Sequence, residues 1–218
     1  MAFNTYVCRP LAAPFVAAVA GTRLTPNQIT LASFFVAAAS AGLIVVAPGH
    51  GGLLAAVLLF EASYVLDCAD GMLARLRGTA SPVGHLLDFL MDELKAFLVL
   101  AAAAARLYLE RGDPRFLELG LFGLVCLASG VAMTTFLRRP ETTQAWSGGA
   151  ADAVPRSLSR HAVAAAERVA RLLIHYPSYI WLAALAGRIE LYLYPYVAVN
   201  ALYALRAFAG VAVKYGRS

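Results

Sequence analysis

The sequence predicts an all-α integral membrane protein with six transmembrane helices and an N-terminal interfacial amphipathic helix. Hydrophobic residues make up 61% of the 218 residues and charged residues only 14%, against roughly 45–50% and about 25% in soluble domains. Several apolar segments approach the length of about 20 residues that crosses a bilayer. A soluble domain of this size could not bury so much apolar surface. The net charge of +5 is therefore not interpreted as a nucleic-acid-binding surface.

The whole chain, residues 1–218, is predicted to form one domain. Residues 1–25 contain a mixed apolar and basic segment that suits an interfacial helix lying along the membrane surface. Residues 26–213 form the predicted six-helix bundle, and residues 140–155, rich in Gly, Ser, Thr and Pro, form a loop after the fourth span. The six spans are expected near residues 29–47, 53–66, 83–109, 116–137, 172–186 and 189–213.

Lys and Arg are distributed unequally between the two ends of the predicted bundle. With six spans both termini lie on one side, which carries ten basic residues against four on the other. Cytoplasmic loops are enriched in Lys and Arg, so both termini and the 140–155 loop are predicted to be cytoplasmic. The four residues assigned to the opposite loops are Arg106, Arg111, Arg115 and Arg188.

Acidic residues are concentrated in the hairpin of the second and third spans. This hairpin contains six of the 13 acidic residues, and an ionisable group within a membrane helix indicates a functional site. Asp67 and Asp70 are spaced i, i+3 on one helix, and Asp88 and Asp92 are spaced i, i+4 on the next. The short connection makes the helices antiparallel neighbours. The four carboxylates are therefore predicted to converge just inside the cytoplasmic surface.

Four carboxylates at one level repel one another and take up protons unless a cation is present. Their hard oxygen ligands suit Mg²⁺, Mn²⁺ or Ca²⁺. Glu61 and Glu93 fit no common face with the four aspartates, and we assign them supporting or structural roles. A purely structural alternative is that Arg75 or Lys95 neutralises an aspartate in a salt bridge.

The hairpin also contains a specific pattern of small and charged residues. It is Asp67-x-x-Asp70-Gly71-x-x-Ala74-Arg75, eight residues, then Gly84-x-x-x-Asp88-x-x-x-Asp92. The two glycines leave room for a helix or ligand to approach. The pattern resembles the signature of the CDP-alcohol phosphatidyltransferase family at all eight positions and in the length of the spacer. Residues 24–30, Leu-Thr-Pro-Asn-Gln-Ile-Thr, resemble the stretch that opens the family's first membrane helix.

The resemblance implies transfer of a phosphatidyl group from CDP-diacylglycerol to the hydroxyl of a water-soluble alcohol, with release of CMP. It also implies a homodimer and two divalent ions per site, Mg²⁺ or Mn²⁺. The implied metal ligands are Asp67, Asp70, Asp88 and Asp92, and Asp92 is also the implied general base. The positions that match the family's CDP-donor site are Pro26, Asn27, Gln28, Ile29, Gly71, Ala74, Arg75 and Ser81.

Four arginines near the cytoplasmic ends of the fourth and fifth spans are candidates for binding the acceptor: Arg138, Arg139, Arg168 and Arg171. Residues 167–172 are similar to a Glu-Arg-x-x-Arg-Leu stretch of phosphatidylinositol-phosphate synthases within the family. Arginine binds phosphate in two-point geometry, so the predicted acceptor is a phosphorylated polyol such as inositol phosphate or glycerol phosphate.

Other interpretations of these residues stay open at this point. Cytoplasmic arginines also follow from topology and bind anionic lipid, which leaves room for an unphosphorylated acceptor such as serine. Transfer from a CDP-amino-alcohol to diacylglycerol uses the same chemistry in the opposite direction. The alternative from another class is a membrane cation transporter that uses the acidic hairpin as an ion path.

Overall fold

The computed structural model of the protein describes residues 4–139, 175, 177 and 179–215. In these parts of the chain every regular element is helical and no strand is present. A π-helical turn, Asn4–Cys8, leads into the first α-helix. The α-helices are α1 (Arg9–Val19), α2 (Pro26–Val46), α3 (Gly49–Leu76), α4 (Pro82–Arg111), α5 (Arg115–Leu137), α6 (Ile180–Leu185) and α7 (Glu190–Tyr215).

Within the described parts of the chain, four helices are long and apolar enough to cross a membrane: α2, α3, α5 and the Glu190–Val213 part of α7. Helix α4 has 30 residues, about 45 Å at 1.5 Å per residue, but its first half carries acidic residues. Part of the predicted fifth span falls outside the described residues, which in that region are 175, 177 and 179–186 and include the six-residue α6. The predicted 140–155 loop also lies outside them. The all-helical membrane class is therefore confirmed, and the count of six spans stays a prediction.

Helix α1 packs one face against α3. Its residues Ala12 and Val16 are buried together with Ile29 of α2 and Leu73 of α3. Leu11, by contrast, is 60% exposed. The structure forms a helix from Arg9 to Val19, and the interfacial amphipathic helix of residues 1–25 stays a prediction.

Arg77, immediately after α3, holds the connection between α1 and α2. Its guanidinium donates hydrogen bonds to the carbonyl oxygens of Val19, Ala20, Thr22 and Leu24 at 2.5–3.2 Å. Helix ends leave carbonyl groups without partners inside the helix, and Arg77 supplies several of the missing donors. The start of α2, where the predicted donor-binding residues lie, is fixed against α3 in this way.

The main apolar core lies where α2, α3 and α4 meet, and α5 packs against α4 and α7. Phe60 of α3 and Leu100 of α4 are completely buried in it. Ser40 of α2 donates a hydrogen bond of 2.7 Å to the carbonyl oxygen of Ala56 in α3. Small polar side chains of this kind allow close helix packing and satisfy their own hydroxyl groups in an apolar interior.

Arg106 stabilises the opposite end of the bundle from the aspartates. It is 3% exposed, and its guanidinium donates to the carbonyl oxygens of Ile44, Ala47 and Gly49 at 2.8–3.0 Å. It also forms an ion pair with Glu110 at 2.7 Å. The assignment of Arg106 to a loop is therefore wrong, because α4 continues to Arg111 and the guanidinium caps the end of α2.

Candidate active site

Three of the four predicted carboxylates meet between α3 and α4. One carboxylate oxygen each from Asp67, Asp70 and Asp88 lies within 4.8 Å of the other two. Asp70 is buried, and Asp67 and Asp88 are partly buried. Oxygen atoms at this spacing are compatible with a shared divalent cation, since Mg²⁺ and Mn²⁺ prefer carboxylate ligands.

Asp92 lies beside this group and is not part of it. It follows Asp88 by one helical turn on α4, and its side chain is 48% exposed. Its Oδ1 atom lies 3.3 Å from the ammonium nitrogen of Lys95. The four aspartates are therefore divided into a cluster of three and one more accessible carboxylate.

Lys95 connects Asp92 to the cluster. Its side chain is 1% exposed, and its ammonium group forms ion pairs with both Asp67 and Asp92. A buried cation is tolerated only when it is paired, and here two carboxylates on different helices pair with it. From the sequence alone, Lys95 is one of two basic residues that could neutralise an aspartate. The structure shows that it bridges α3 and α4 at the site itself.

We expect Lys95→Met to destabilise the metal-free protein and to increase the stabilisation gained from Mn²⁺. Breaking a buried ion pair by removing one partner costs about 3–5 kcal/mol, because the other charge is left uncompensated. An added divalent cation would then replace the missing positive charge. The measurement is the melting temperature in EDTA and in Mn²⁺, with Lys95→Arg as the control that keeps the charge. If Mn²⁺ raised the melting temperatures of the wild type and of Lys95→Met equally, Lys95 would not compensate the charge of the metal-free aspartates.

Thr30 links the start of α2 to the aspartate cluster. Its hydroxyl lies 2.5 Å from Asp70 Oδ2 as a hydrogen-bond donor and 3.2 Å from the carbonyl oxygen of Pro26. The sequence analysis gave Thr30 no role. A usable signal was present, because Thr30 follows Pro26 by four residues and so lies on the same face of α2.

A cavity of about 460 Å³ opens beside Asp70 and Asp88. Six of the eight predicted donor-binding residues contribute to its wall: Pro26, Asn27, Gly71, Ala74, Arg75 and Ser81. Gly84 lines it as well. The structure therefore brings most of the predicted donor site together, next to the carboxylate cluster.

Gln28 and Ile29 do not line this cavity. The side chain of Gln28 accepts a hydrogen bond from the backbone N–H of Thr25, and the Thr25 hydroxyl accepts one from the backbone N–H of Gln28. This capping box fixes the first turn of α2. Ile29 is 2% exposed and packs in the core under α1. Both residues therefore stabilise the start of the helix, and the contact with the donor predicted for them stays a prediction.

Two glycines leave space in the cavity wall. A Cβ atom on Gly71 would lie 3.2 Å from Nη1 of Arg75, and one on Gly84 would lie 3.3 Å from the hydroxyl of Ser81. Larger residues would move the side chains that surround the opening. Among the described residues, no group forms an ion pair with Arg75, so its guanidinium is available to an anion.

A second cavity, of about 310 Å³, lies on the other side of Asp92. Its wall is formed by residues of α3, α4, α5 and α7 together with His175 and Pro177. Tyr64 and His175 form a hydrogen bond of 2.6 Å in its wall. Its charged lining residues are Asp92, Glu93, Lys95 and Arg138.

The predicted acceptor arginines have different positions relative to this cavity. Arg138, the residue immediately after α5, lines it, whereas Arg139 does not, and both residues are exposed. Arg168 and Arg171 lie outside the described residues. The structure therefore separates Arg138 from Arg139, which the sequence alone could not do.

A sequence model of CDP-alcohol phosphatidyltransferases matches residues 23–187, which include the complete aspartate hairpin. The chain belongs to the CDP-alcohol phosphatidyltransferase family. This confirms the resemblance found in the hairpin. Membership places this CDP-alcohol phosphatidyltransferase among the enzymes of phospholipid biosynthesis, and it argues against the cation transporter.

One curated relative of this CDP-alcohol phosphatidyltransferase is the bifunctional IPC transferase and DIPP synthase of Rubrobacter xylanophilus. The two are 35% identical over 83 residues, which is 38% of this chain. The match spans only 18% of the relative's length. The two proteins therefore share a limited segment.

Crystal structures of the phosphatidylinositol phosphate synthase of Mycobacterium tuberculosis have the same fold. The form with CDP-DAG bound has a TM-score of 0.61 and 17% identity, over 93% of this chain and 94% of the synthase. The complex with manganese and citrate has a TM-score of 0.59 and 16% identity, over 91% and 87%. At this identity the likeness concerns the fold alone.

Proposed function

We propose that the protein transfers a phosphatidyl group from CDP-diacylglycerol to a hydroxyl of a phosphorylated polyol and releases CMP. The observation that carries the proposal is the position of the aspartates between two cavities. Asp88 lines the larger cavity and Asp92, one turn away on α4, lines the smaller one. A donor and an acceptor bound in the two cavities would meet at these carboxylates.

The donor fits the larger cavity by its chemistry. Arg75 supplies an unpaired guanidinium for the diphosphate, and Gly71 and Ala74 leave space for the flat cytosine ring. Asn27 and Ser81 add polar groups at the rim. The related synthase with CDP-DAG bound supports the choice of a lipid-linked cytidine diphosphate.

Divalent metal ions fit the carboxylate cluster. Asp67, Asp70 and Asp88 would hold one Mg²⁺ or Mn²⁺, and Asp92 would contribute to a second. The manganese complex of the related synthase supports this choice of metal. Bound ions of this kind would supply charge stabilisation for the attacking and leaving oxygens of a displacement at phosphorus.

The residues of the chain position and deprotonate the acceptor. Its hydroxyl oxygen forms a bond to the phosphorus that carries diacylglycerol, while the bond from that phosphorus to the bridging oxygen breaks and CMP leaves with the electron pair. Asp92 takes the hydroxyl proton as general base. Its exposed carboxylate and its place in the wall of the second cavity suit this role.

Arg138 is proposed to bind the phosphate of the acceptor. We expect Arg138→Ala to raise the KM for a phosphorylated polyol by about 10- to 100-fold, because a charged hydrogen bond contributes about 1.5–3 kcal/mol. The KM for CDP-diacylglycerol should stay within about twofold, since Arg138 lies outside the donor cavity. The experiment is steady-state kinetics of the purified protein with inositol phosphate, glycerol phosphate and serine, with the lipid products identified by mass spectrometry.

The adjacent Arg139 provides the matched control. Arg139→Ala removes the same charge from the same end of α5, but Arg139 does not line the cavity, so we expect the acceptor KM to change little. If the two substitutions raised the acceptor KM equally, acceptor binding would depend only on the overall positive charge at this end of the bundle. A preference for serine would overturn the phosphorylated acceptor.

The orientation and assembly of the protein are also proposals. We place the aspartates and both termini on the cytoplasmic side, because the predicted topology puts ten basic residues on that side and, once the helix-capping Arg106 is left out, three on the other. A homodimer is proposed from family resemblance.

A further inference from the structure

The second cavity has charged groups of opposite sign in its wall. Arg138 comes from the end of α5 and Glu93 from α4, next to the proposed base Asp92. Glu93 is partly buried, and its carboxylate forms no hydrogen bond or ion pair with any described residue. A carboxylate that is partly removed from water without a partner is unfavourable, so a ligand with hydrogen-bond donors would stabilise it.

We propose that Glu93 determines the acceptor class by accepting hydrogen bonds from the hydroxyl groups of the polyol that do not react. Arg138 would bind the phosphate, and Asp92 would face the reacting hydroxyl. Neutral polar groups in the same wall, Asn200 and Tyr203, add further hydrogen-bonding positions. This inference rests on the proposed function, and it reverses the supporting role that the sequence pattern gave to Glu93.

The size of the cavity favours a polyol over a small amino alcohol. A volume of about 310 Å³ corresponds to about ten water molecules at roughly 30 Å³ each. This space suits a phosphorylated polyol with many polar atoms better than a three-carbon acceptor such as serine. The geometry of α4 is also suitable, because neighbouring residues of a helix are about 100° apart. Asp92 and Glu93 therefore reach different parts of one ligand.

The test compares Glu93→Gln with the wild type in the phosphatidyl-transfer assay. Glutamine keeps the shape and removes the charge, so we expect the KM for the phosphorylated polyol to rise about 10-fold or more, for one charged hydrogen bond. The kcat and the KM for CDP-diacylglycerol should change by less than about twofold. Deoxy analogues of the acceptor are tested in parallel. Removing the hydroxyl that Glu93 binds should raise the acceptor KM of the wild type and leave the acceptor KM of Glu93→Gln nearly unchanged, as expected for two groups that interact.

Glu61→Gln serves as the matched control. Glu61 is a partly buried acid on α3 that lines neither cavity, so its substitution should not change the acceptor KM. If the wild type transfers to the polyol but Glu93→Gln has the wild-type KM, the role of Glu93 is wrong and the proposed function stands. If the wild type prefers serine and Glu93→Gln raises the KM for serine, the carboxylate binds an ammonium group and the polyol assignment is overturned. Absence of transfer to every acceptor would instead reject the proposed function.

Discussion

Asp88→Asn should lower the rate of CMP release by about 1000-fold or more. The substitution removes one negative charge from the cluster in which the oxygens of Asp67, Asp70 and Asp88 lie within 4.8 Å. Charge stabilisation by a bound metal is worth several kcal/mol, and each 1.4 kcal/mol is about tenfold in rate. Asp88 is the most suitable of the three because it is only partly buried and, unlike Asp67, forms no ion pair with Lys95, so the fold should tolerate the change. The measurements are CMP release and Mn²⁺ affinity by titration calorimetry.

Asp113→Asn is the corresponding control at the far end of α4. Asp113 accepts a hydrogen bond of 3.0 Å from the backbone N–H of Arg115 and is remote from the cluster, so Mn²⁺ affinity should not change. Removal of divalent ions with EDTA should abolish CMP release, and their return should restore it. Full activity in EDTA, or unchanged Mn²⁺ affinity in Asp88→Asn, would rule out a metal at these aspartates.

Asp92→Asn should lower kcat by about 100- to 10,000-fold, the usual contribution of a general base, while binding of CDP-diacylglycerol changes little. Asparagine has nearly the same shape as aspartate but does not accept the hydroxyl proton at neutral pH. Asp92 is not part of the three-carboxylate cluster, so the tightest Mn²⁺ binding should survive in this variant and not in Asp88→Asn. The measurements are single-turnover rates and equilibrium binding of the donor.

This contrast separates the two roles assigned to the aspartates. If Asp92→Asn keeps more than about a tenth of the wild-type rate, proton transfer to Asp92 is not required. If it loses Mn²⁺ and donor binding as completely as Asp88→Asn, Asp92 acts mainly as a metal ligand.

The backbone positions of the aspartates could be predicted because they depend on local geometry alone. Spacings of three and four residues place Asp67 with Asp70 and Asp88 with Asp92 along their helices. The short connection then sets the two helices side by side. These constraints fix the level of each residue and leave the rotation of each helix about its axis open.

The partners of each side chain depend on that rotation and on the packing of the helices. They could not be predicted from the sequence. The ion pair between Lys95 and Asp67 and the hydrogen bond from Thr30 to Asp70 each join residues on two different helices. No single-helix pattern contains such contacts.

Two arginines illustrate the same limit. Counting charges for topology treats all basic residues as equivalent solvated groups. Arg77 and Arg106 instead donate hydrogen bonds to carbonyl groups at opposite ends of the bundle. Whether a guanidinium faces water or caps a helix is decided by the neighbouring helix, which the sequence pattern does not specify.

The most direct test of the proposed function follows the phosphorus atom. The purified protein is given CDP-diacylglycerol labelled with ³²P in the phosphate attached to diacylglycerol, together with Mn²⁺ and a phosphorylated polyol. We expect the label in a new lipid that carries the polyol headgroup, together with an equal amount of unlabelled CMP. The Asp92→Asn variant should form both products much more slowly than the wild type. Label in a water-soluble nucleotide, or only phosphatidic acid whatever the acceptor, would contradict phosphatidyl transfer.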